Sequence, residues 1–260
     1  MRCLFLITDL QIGGTPRVVY ELATRLRNDN VETAVACLAP WGPVADELCR
    51  AGVAVTALGA TQPWQLPAVV RSVTELASES DVVFSFLMHA NVAAALAARR
   101  TSGVRWIQSI QTTQPKPRWH WPLQGWAAKA AQHIVVPSKS VAEWAAKRSK
   151  IPADQFVVIP NAVDVDAYAS LPRPPLNVIH RVGFIGRLDP VKRLPDLLRA
   201  VAALSSTHLS IFGDGPERLR LVRMIEQLKL QSRVTLHGTI PSAKAALPLI
   251  DTLVLPSDAE

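Results

Sequence analysis

Cysteine is scarce in this chain: Cys3, Cys37 and Cys49 are the only three, an odd number with no metal-ligand spacing. That removes a cysteine-built metal module and leaves reduced thiols in a cytoplasmic protein. Long hydrophobic runs are absent too; none reaches the ~18 residues that crossing a bilayer takes. The apolar opening "MRCLFLITDLQIGG" meets Asp9, and no small-residue cleavage site follows. It reads as a first β-strand and not as a signal peptide. Two nucleotide signatures are missing as well. Gly13-Gly14 does not build G-x-G-x-x-G, and in "GDGPER" (213–218) Arg218 stands where the third glycine belongs, which disfavours nicotinamide binding. With no Walker-type lysine loop, ATP hydrolysis has no support.

What is present is a chain of 260 residues, 49% hydrophobic and 19% charged, which suits a folded protein of two domains. Its net charge of +7 is uneven. Residues 99–150 hold ten Lys or Arg against one acid, Glu143, together with five of the seven tryptophans: Trp106, Trp119, Trp121, Trp126 and Trp144. Cations interleaved with indoles suit an anionic membrane face. The charge alone would also suit nucleic acid, but nucleic acid is not expected as a partner. Trp106 and Trp144 lie in strand-like and helix-like contexts and read as core. "KPRWHWPLQGW" (116–126) is broken by prolines and reads as irregular surface.

Short apolar runs alternate with helical patterns. Strands are expected at Cys3–Thr8, Thr33–Leu38, Val53–Leu58, Val82–Phe86, Arg105–Ser109, His133–Val136 and Phe156–Ile159. Helices fall between most of them, as at Pro16–Asn28, Gln65–Ser78, Asn91–Arg100 and Ser138–Ser149, with Ser138 a good cap. This rhythm implies a doubly wound parallel sheet. "PNAVDVDAYASLPRPPLN" (160–177) interrupts it and reads as a loop and linker. The rhythm resumes with strands Arg181–Ile185, Leu209–Phe212, Val234–Leu236 and Thr252–Leu255, and helices Leu194–Leu204, Glu217–Leu228 and Ser242–Leu249. The expected layout is an N-terminal domain over 1–165, a linker over 166–177 and a C-terminal domain over 178–260. Ligands of such sheets bind beyond the carboxyl ends of the strands. The sequence stops directly after a strand, so the second domain is expected to be incomplete over these residues.

Gly13 and Gly14 fall between the first strand and the first helix, where backbone can approach a ligand and a helix start favours an anion. Taken alone, such a pair is more often a plain turn. "GFIGRLDPVKR" (183–193) is more informative, because Arg187 and Lys192 flank a turn at Pro190. A guanidinium can grip two phosphate oxygens in a fork, while an ammonium adds a mobile point charge. A diphosphate leaving group needs such compensation as its bond breaks.

"VGFIGRLDPVKRLPDLLRAVAAL", "LSIFGDGPERLRLVRMIEQLKLQSRVTLHGTI" and "LVLPSDAE", in that order, resemble the nucleotide-sugar half of the retaining GT-B glycosyltransferases of family 4. "GGTPRVVYELA" and "VPSKSVAEWAAKRSKIPADQFVVIPNAVDVDAY" resemble the same family's acceptor half and domain junction. The resemblance covers nearly the whole chain. It implies an α/β fold of GT-B type: two Rossmann-like, doubly wound parallel-sheet domains facing across a cleft, the second incomplete here. It implies that Arg187 and Lys192 bind the donor diphosphate, with Gly13 and Gly14 placing amides near it and near the acceptor. Gly213, Asp214 and Gly215 would floor the nucleotide site, and Gly238, Thr239 and Ile240 would offer backbone to the base. Glu260 falls on the first glutamate of the family's E-x7-E motif, near the transferred sugar. The second glutamate and the glycine-rich turn lie past the last residue given, so the chain is read as truncated within that motif.

On the acceptor side, Gln111 stands where many members carry a histidine, and Gln cannot carry a proton. His89 is the other cleft candidate; an ordinary role at a helix start is about as frequent. His120, His133 and His237 read as non-catalytic. Ala162 replaces the family's usual glycine in "PNAVD". The resemblance implies transfer of a sugar from a UDP- or GDP-linked donor, with retention, to a sugar or lipid-linked acceptor in cell-envelope polysaccharide or glycolipid assembly. No metal and no further cofactor would be required. The protein would be cytoplasmic, peripheral at the inner membrane face through residues 99–150. The alternatives are a catalytically incompetent fragment or binding module, and a GT-B-type epimerase or phosphorylase.

Overall fold

A computed structural model describes residues 1–113, 117–172, 179–240 and 242–258 of the chain, which divides into two units, Met1–Ala162 and Val163–Glu260. The N-terminal unit carries seven strands: β1 (Arg2–Ile7), β2 (Glu32–Cys37), β3 (Ala54–Ala57), β4 (Val82–Phe86), β5 (Arg105–Ser109), β6 (His133–Val136) and β7 (Phe156–Val158). They form one parallel sheet in the order β3-β2-β1-β4-β5-β6-β7, with Phe5 paired to Val35 on one side and to Phe84 on the other. The six helices are α1 (Gly14–Asn28), α2 (Pro43–Arg50), α3 (Leu66–Ser78), α4 (Met88–Ala97), α5 (His120–Ala128) and α6 (Lys139–Ser149).

Strand β1 shows why the sheet is covered on both faces. Successive side chains alternate sides, so Cys3, Phe5 and Ile7 pack with Val19 and Ala23 of α1 and Leu48 of α2. Leu4 and Leu6 meet Val69 and Val73 of α3 and the alanine face of α4, Ala90, Ala93, Ala94 and Ala97. A strand apolar on both faces reads as an unbroken hydrophobic run, and that run is what its sequence shows. Burial pushes the Cys3 and Cys37 thiols up to about 11, so both stay protonated near neutrality.

Helix α5 corrects one expectation. The stretch read as irregular surface becomes helical at His120, because Pro122 lies in the first turn, where its missing N–H has no intrahelical acceptor to lose. Trp121 is buried among Ile110, Ile134, Val136 and Ala145. Trp106 is buried beneath α4, and Trp126 and Trp144 are half-buried under the Arg99 and Arg148 guanidinium groups, 5.1 and 4.1 Å from their ring centres. Only Trp119 of the five is exposed, at 56%. An interfacial belt of tryptophans is thus absent from this stretch: the indoles are mostly spent on packing.

The second unit carries α7 (Val165–Ala169), β8 (His180–Ile185), α8 (Leu194–Ala202), β9 (Thr207–Phe212), α9 (Arg218–Gln227), β10 (Val234–Gly238) and β11 (Thr252–Leu253). Its sheet is parallel in the order β10-β9-β8-β11. The core joins Val182, Phe184, Leu209 and Ile211 to Leu197, Leu198, Leu221 and Ile225 of the helices. Gly183 is required on the opposite face, since a Cβ there would lie 2.6 Å from the Ile250 side chain. Asp251 holds β11 to β8 by accepting from the Arg181 backbone N–H at 2.8 Å and from its guanidinium at 2.8 and 3.2 Å.

Two expectations fail here. The segment read wholly as loop and linker forms the helical turn α7, because Asp164 caps it, accepting from the Ala167 N–H at 3.1 Å. The helix expected over 242–249 is instead two 3₁₀ turns, Ala243–Ala245 and Leu247–Leu249. Pro248 cannot donate the bond that a continuous helix would need there. Among the described residues no helix is long and apolar enough to cross a membrane.

Candidate functional site

In the second unit, three loops meet at the carboxyl ends of β8, β9 and β10. The first, Gly186–Arg193, is stitched to the second by Gly186 N–H to Phe212 O (2.9 Å), Leu188 N–H to Asp214 O (2.9 Å) and Glu217 N–H to Leu188 O (3.0 Å). The second is stitched to the third by Gly213 N–H to Gly238 O, 2.7 Å. The first and second loops are packed so closely that a Cβ on Gly213 would lie 1.9 Å from Gly186 O, and one on Gly215 2.5 Å from Leu188 O. Gly213 also adopts φ +137° and Gly238 φ +76°, conformations that favour glycine. The six positions read as nucleotide-binding, Gly213, Asp214, Gly215, Gly238, Thr239 and Ile240, therefore belong to one loop cluster. Asp214 and Thr239 are exposed, whereas Ile240 packs toward Phe212, Ala246 and Ile250.

Arg187 and Lys192 sit on the first of these loops. The Arg187 side chain is 73% exposed, its guanidinium 3.9 Å from the Asp189 carboxylate. Asp189 caps the 3₁₀ turn Pro190–Lys192 by accepting from Val191 N–H at 3.3 Å, and Lys192 is half-buried at the end of that turn. The next residue, one of the charged residues of this loop, was given no role from the sequence. Arg193 adopts a left-handed φ of 52°, uncommon for a residue with a side chain. Its guanidinium bridges Asp196 at 2.6 Å and Asp258 at 3.2 Å, fastening the segment after β11 to the cation loop. Both carboxylates raise the Arg193 pKa further. Glu260 lies outside the described residues.

In the first unit, Gly13 caps α1 in extended backbone (φ −178°) that any residue adopts, and a Cβ there would make only ordinary contact with Pro16. A Cβ on Gly14 would meet nothing within 4 Å. Neither position needs glycine for the sake of its own unit.

Just past β4, Leu87 is held at φ 71°. α4 then begins at Met88, earlier than its expected start at Asn91, so His89 lies in its first turn. The His89 ring is 5.9 Å from that of His120 and edge-on to it. Partial burial lowers the His89 pKa below the ordinary value, against an opposing pull from Asp9. His120 is lowered by burial and by His89. Both imidazoles are therefore neutral near pH 7.

His89 lines a cavity of about 430 Å³ beyond the ends of β1 and β2, walled by Leu38, Ala60, Leu66, Val69, Val92 and Leu123, with Trp119 among its lining residues. A smaller cavity of about 70 Å³ is lined by Gln111, His120, Trp121 and Gln124 and shares Met88 with the first. His89 and Gln111, singled out separately in the sequence, thus line neighbouring hollows. Gln111 is fixed at both ends of its carboxamide, donating to Ser109 Oγ (2.6 Å) and accepting from Asn161 Nδ2 (3.0 Å).

Beneath Gln111 runs a buried network that sequence reading missed. Asn91 accepts from Ser85 Oγ (2.8 Å) and donates to Ser109 O and Gln124 Oε1 (both 3.0 Å), while Gln124 donates to Gln108 (3.2 Å). Gln108 donates to Ala127 O at 2.9 Å. The available signal was polar residues at inward strand and helix positions, which need partners when buried. Among the described residues no group of three or more His, Cys, Asp or Glu side chains is placed to hold a metal ion.

Residues 12–167 match the model of Glycosyltransferase Family 4, and residues 180–260 that of Glycosyl transferases group 1. The chain is similar to the GPI3 subunit of the phosphatidylinositol N-acetylglucosaminyltransferase of Saccharomyces cerevisiae, 32% identical over 123 residues, 43% of this chain and 27% of that protein. It is 36% identical over 76 residues to the lipopolysaccharide core biosynthesis glycosyltransferase LpsD of Rhizobium meliloti, 29% of this chain and 22% of that one. These matches span about a quarter of each relative's length. Among solved structures, Anabaena HepE in complex with UDP and glucose superposes with a TM-score of 0.87 at 20% identity, covering 99% of this chain and 74% of that one. The likeness shows the fold, two parallel α/β sheets of GT-B type.

Proposed function

Since the chain belongs to glycosyltransferase family 4, we propose that it moves a sugar from a nucleotide-diphosphate donor to an acceptor hydroxyl, with retention at the anomeric carbon. What carries this reading is the loop cluster of the second unit. Its backbones are locked together by short hydrogen bonds, and from it an exposed guanidinium and a neighbouring ammonium extend at the carboxyl ends of parallel strands. Anions bind at such ends, and preorganised cations act most strongly on charge that develops during reaction.

In this mechanism Arg187 grips the diphosphate in a fork and Lys192 adds a point charge, so negative charge gathering on the leaving group is compensated as the sugar–oxygen bond breaks. In the first unit, Gly13 and Gly14, free of any Cβ, let α1's first amides approach an anion. The departing phosphate accepts the acceptor proton, and Gln111 serves only as a hydrogen-bonding group. His89 is neutral near pH 7 and serves as a hydrogen-bonding partner. The donor is UDP-linked, a choice supported by the UDP bound in HepE, and the fixed cations supply the charge that a metal would otherwise bring.

The acceptor belongs to cell-envelope polysaccharide or glycolipid assembly, supported by the phosphatidylinositol-glycosylating yeast relative and the lipopolysaccharide-core Rhizobium relative. Approach to an anionic membrane surface would rest on the Lys and Arg of 99–150 and not on a tryptophan belt. The test is Arg187→Ala combined with Lys192→Ala. Losing two charge-assisted contacts should weaken UDP binding by about 100-fold or more, with the circular dichroism spectrum unchanged. Unchanged UDP affinity in a calorimetric titration overturns the assignment.

A further inference from the structure

We infer that the 430 Å³ cavity of the N-terminal unit takes an aliphatic chain carried by the acceptor, so that the acceptor is an amphiphile whose tail enters the protein. The inference rests on the sugar-transfer reading for the word acceptor; the cavity's own chemistry supplies the chain. A site built for a bare sugar needs several convergent polar groups, because each sugar hydroxyl left unpaired on binding costs free energy. This cavity offers few. Thr61 and Gln62 line it, but both donate their backbone N–H to Gln65 Oε1, at 2.8 and 2.9 Å, and the Gln62 side chain caps the same turn. His89 is uncharged near neutrality. The polar atoms that remain are few: Thr8 Oγ1, buried and without a hydrogen-bond partner among the described residues, and the His89 ring nitrogens. Leu38, Leu66, Val69, Val92 and Leu123 make the remaining wall a hydrocarbon surface.

The surroundings fit an apolar visitor that arrives from a lipid phase. Trp119, the one exposed tryptophan of the basic stretch, lines the cavity. Trp64, 76% exposed, stands in the turn between the lining residues Pro63 and Leu66. Exposed indoles clustered beside a hydrophobic hollow are a feature of binding surfaces. Arg118, next to Trp119 in sequence and exposed, adds a cation suited to an anionic headgroup. Trp119 is thus placed by the cavity, while its four companions in 99–150 are placed by packing.

The experiment titrates the full chain with glucose and with hexyl, octyl and decyl β-glucosides below their micelle concentrations, using calorimetry. Affinity should rise about fourfold per added methylene until the cavity is full, and glucose should give no measurable heat. Ala60→Trp, which fills the hollow, and Leu66→Asp, which charges its wall near the surface, should each flatten the series by at least tenfold at its long end. Leu66 is partly exposed, so that variant keeps the test alive if the tryptophan variant does not fold. UDP titrated into the same samples separates this inference from the one beneath it. UDP binding with a flat alkyl series overturns the chain site and leaves the donor assignment standing. A graded series without UDP binding supports the chain site and overturns the donor assignment. A graded series that neither variant alters overturns this location for the tail.

Discussion

Gly13-Gly14 and Gly213–Gly215 both follow a strand and precede a helix, and both invite a phosphate-loop reading, yet different forces hold them. In the second unit, the Gly213 backbone leaves no room for a Cβ against Gly186 O and adopts φ +137°, and Gly215 is closed in by Leu188 O. Those glycines let three loops pack on one another, and a ligand-facing surface follows from that packing. In the first unit, Gly13 is extended and Gly14 faces open space. Nothing inside that unit would object to a side chain. Under the proposed function the objection comes from a bound anion, which needs the backbone close; on that reading one set of glycines answers to the fold and the other to a ligand.

Gly213→Ala should break the comparison most visibly, because the new Cβ would meet backbone and the residue would be held in a conformation nearly reserved for glycine. Unfolding free energy should fall by roughly 3 kcal/mol or more, read from urea midpoints of the full chain. A midpoint equal to that of the parent protein would show that the loops can part without cost. Gly14→Ala sharpens the contrast from the other side. Stability should hold or rise by up to about 1 kcal/mol, since alanine replaces glycine at a helix start. Sugar transfer or donor binding should nevertheless drop at least tenfold. Full activity in that variant would reduce the first pair to an ordinary turn.

The smallest effect is a pH dependence, to which the second unit also contributes through His237, held below the ordinary value chiefly by burial. His89 and His120 have pKa values below the ordinary one, set chiefly by burial. The unfolded chain therefore takes up protons first as pH falls below about 6.5. The first unit's stability is full above that value and declines as pH drops toward the folded-state pKa values. In the second unit the Asp251 carboxyl, held down to about 2 by hydrogen bonds from Arg181, contributes stability above pH ~4 that is lost only as pH falls toward 2. Melting curves between pH 7.5 and 5.5 should shift slightly for the parent chain and less for His89→Gln. An equal shift in both would remove His89 from the account.

Much of the fold was legible because parallel strands covered on both faces must be hydrophobic throughout. "CLFLI" and "HIVV" could hardly be anything else, and their expected bounds lie within a residue or two of those observed. The misses have separate physical causes. Pro122 looked like a helix breaker, but its place in the first turn of α5 makes it harmless. Pro248 was passed over and does break its helix. Asp164 built a short helix within a stretch that composition alone assigns to loop. In the loop cluster, sequence reading singled out the positions where charge is concentrated, Arg187 and Lys192, and missed those that depend on neighbours distant in sequence. Arg193 is noteworthy only through its backbone angle and its reach to Asp258. Asn91, Gln108 and Gln124 look like surface residues until the sheet and α5 enclose them.

Those enclosed carboxamides and hydroxyls share one property, which is that none of them titrates anywhere in the range a cell visits. The lattice that aims Gln111 and seats α4 against α5 keeps one orientation from mild acid to mild alkali. pH-dependent behaviour at this surface then falls to groups outside the network, His89 and His120 among them. A pH profile reads those groups while the scaffold under them stays unchanged.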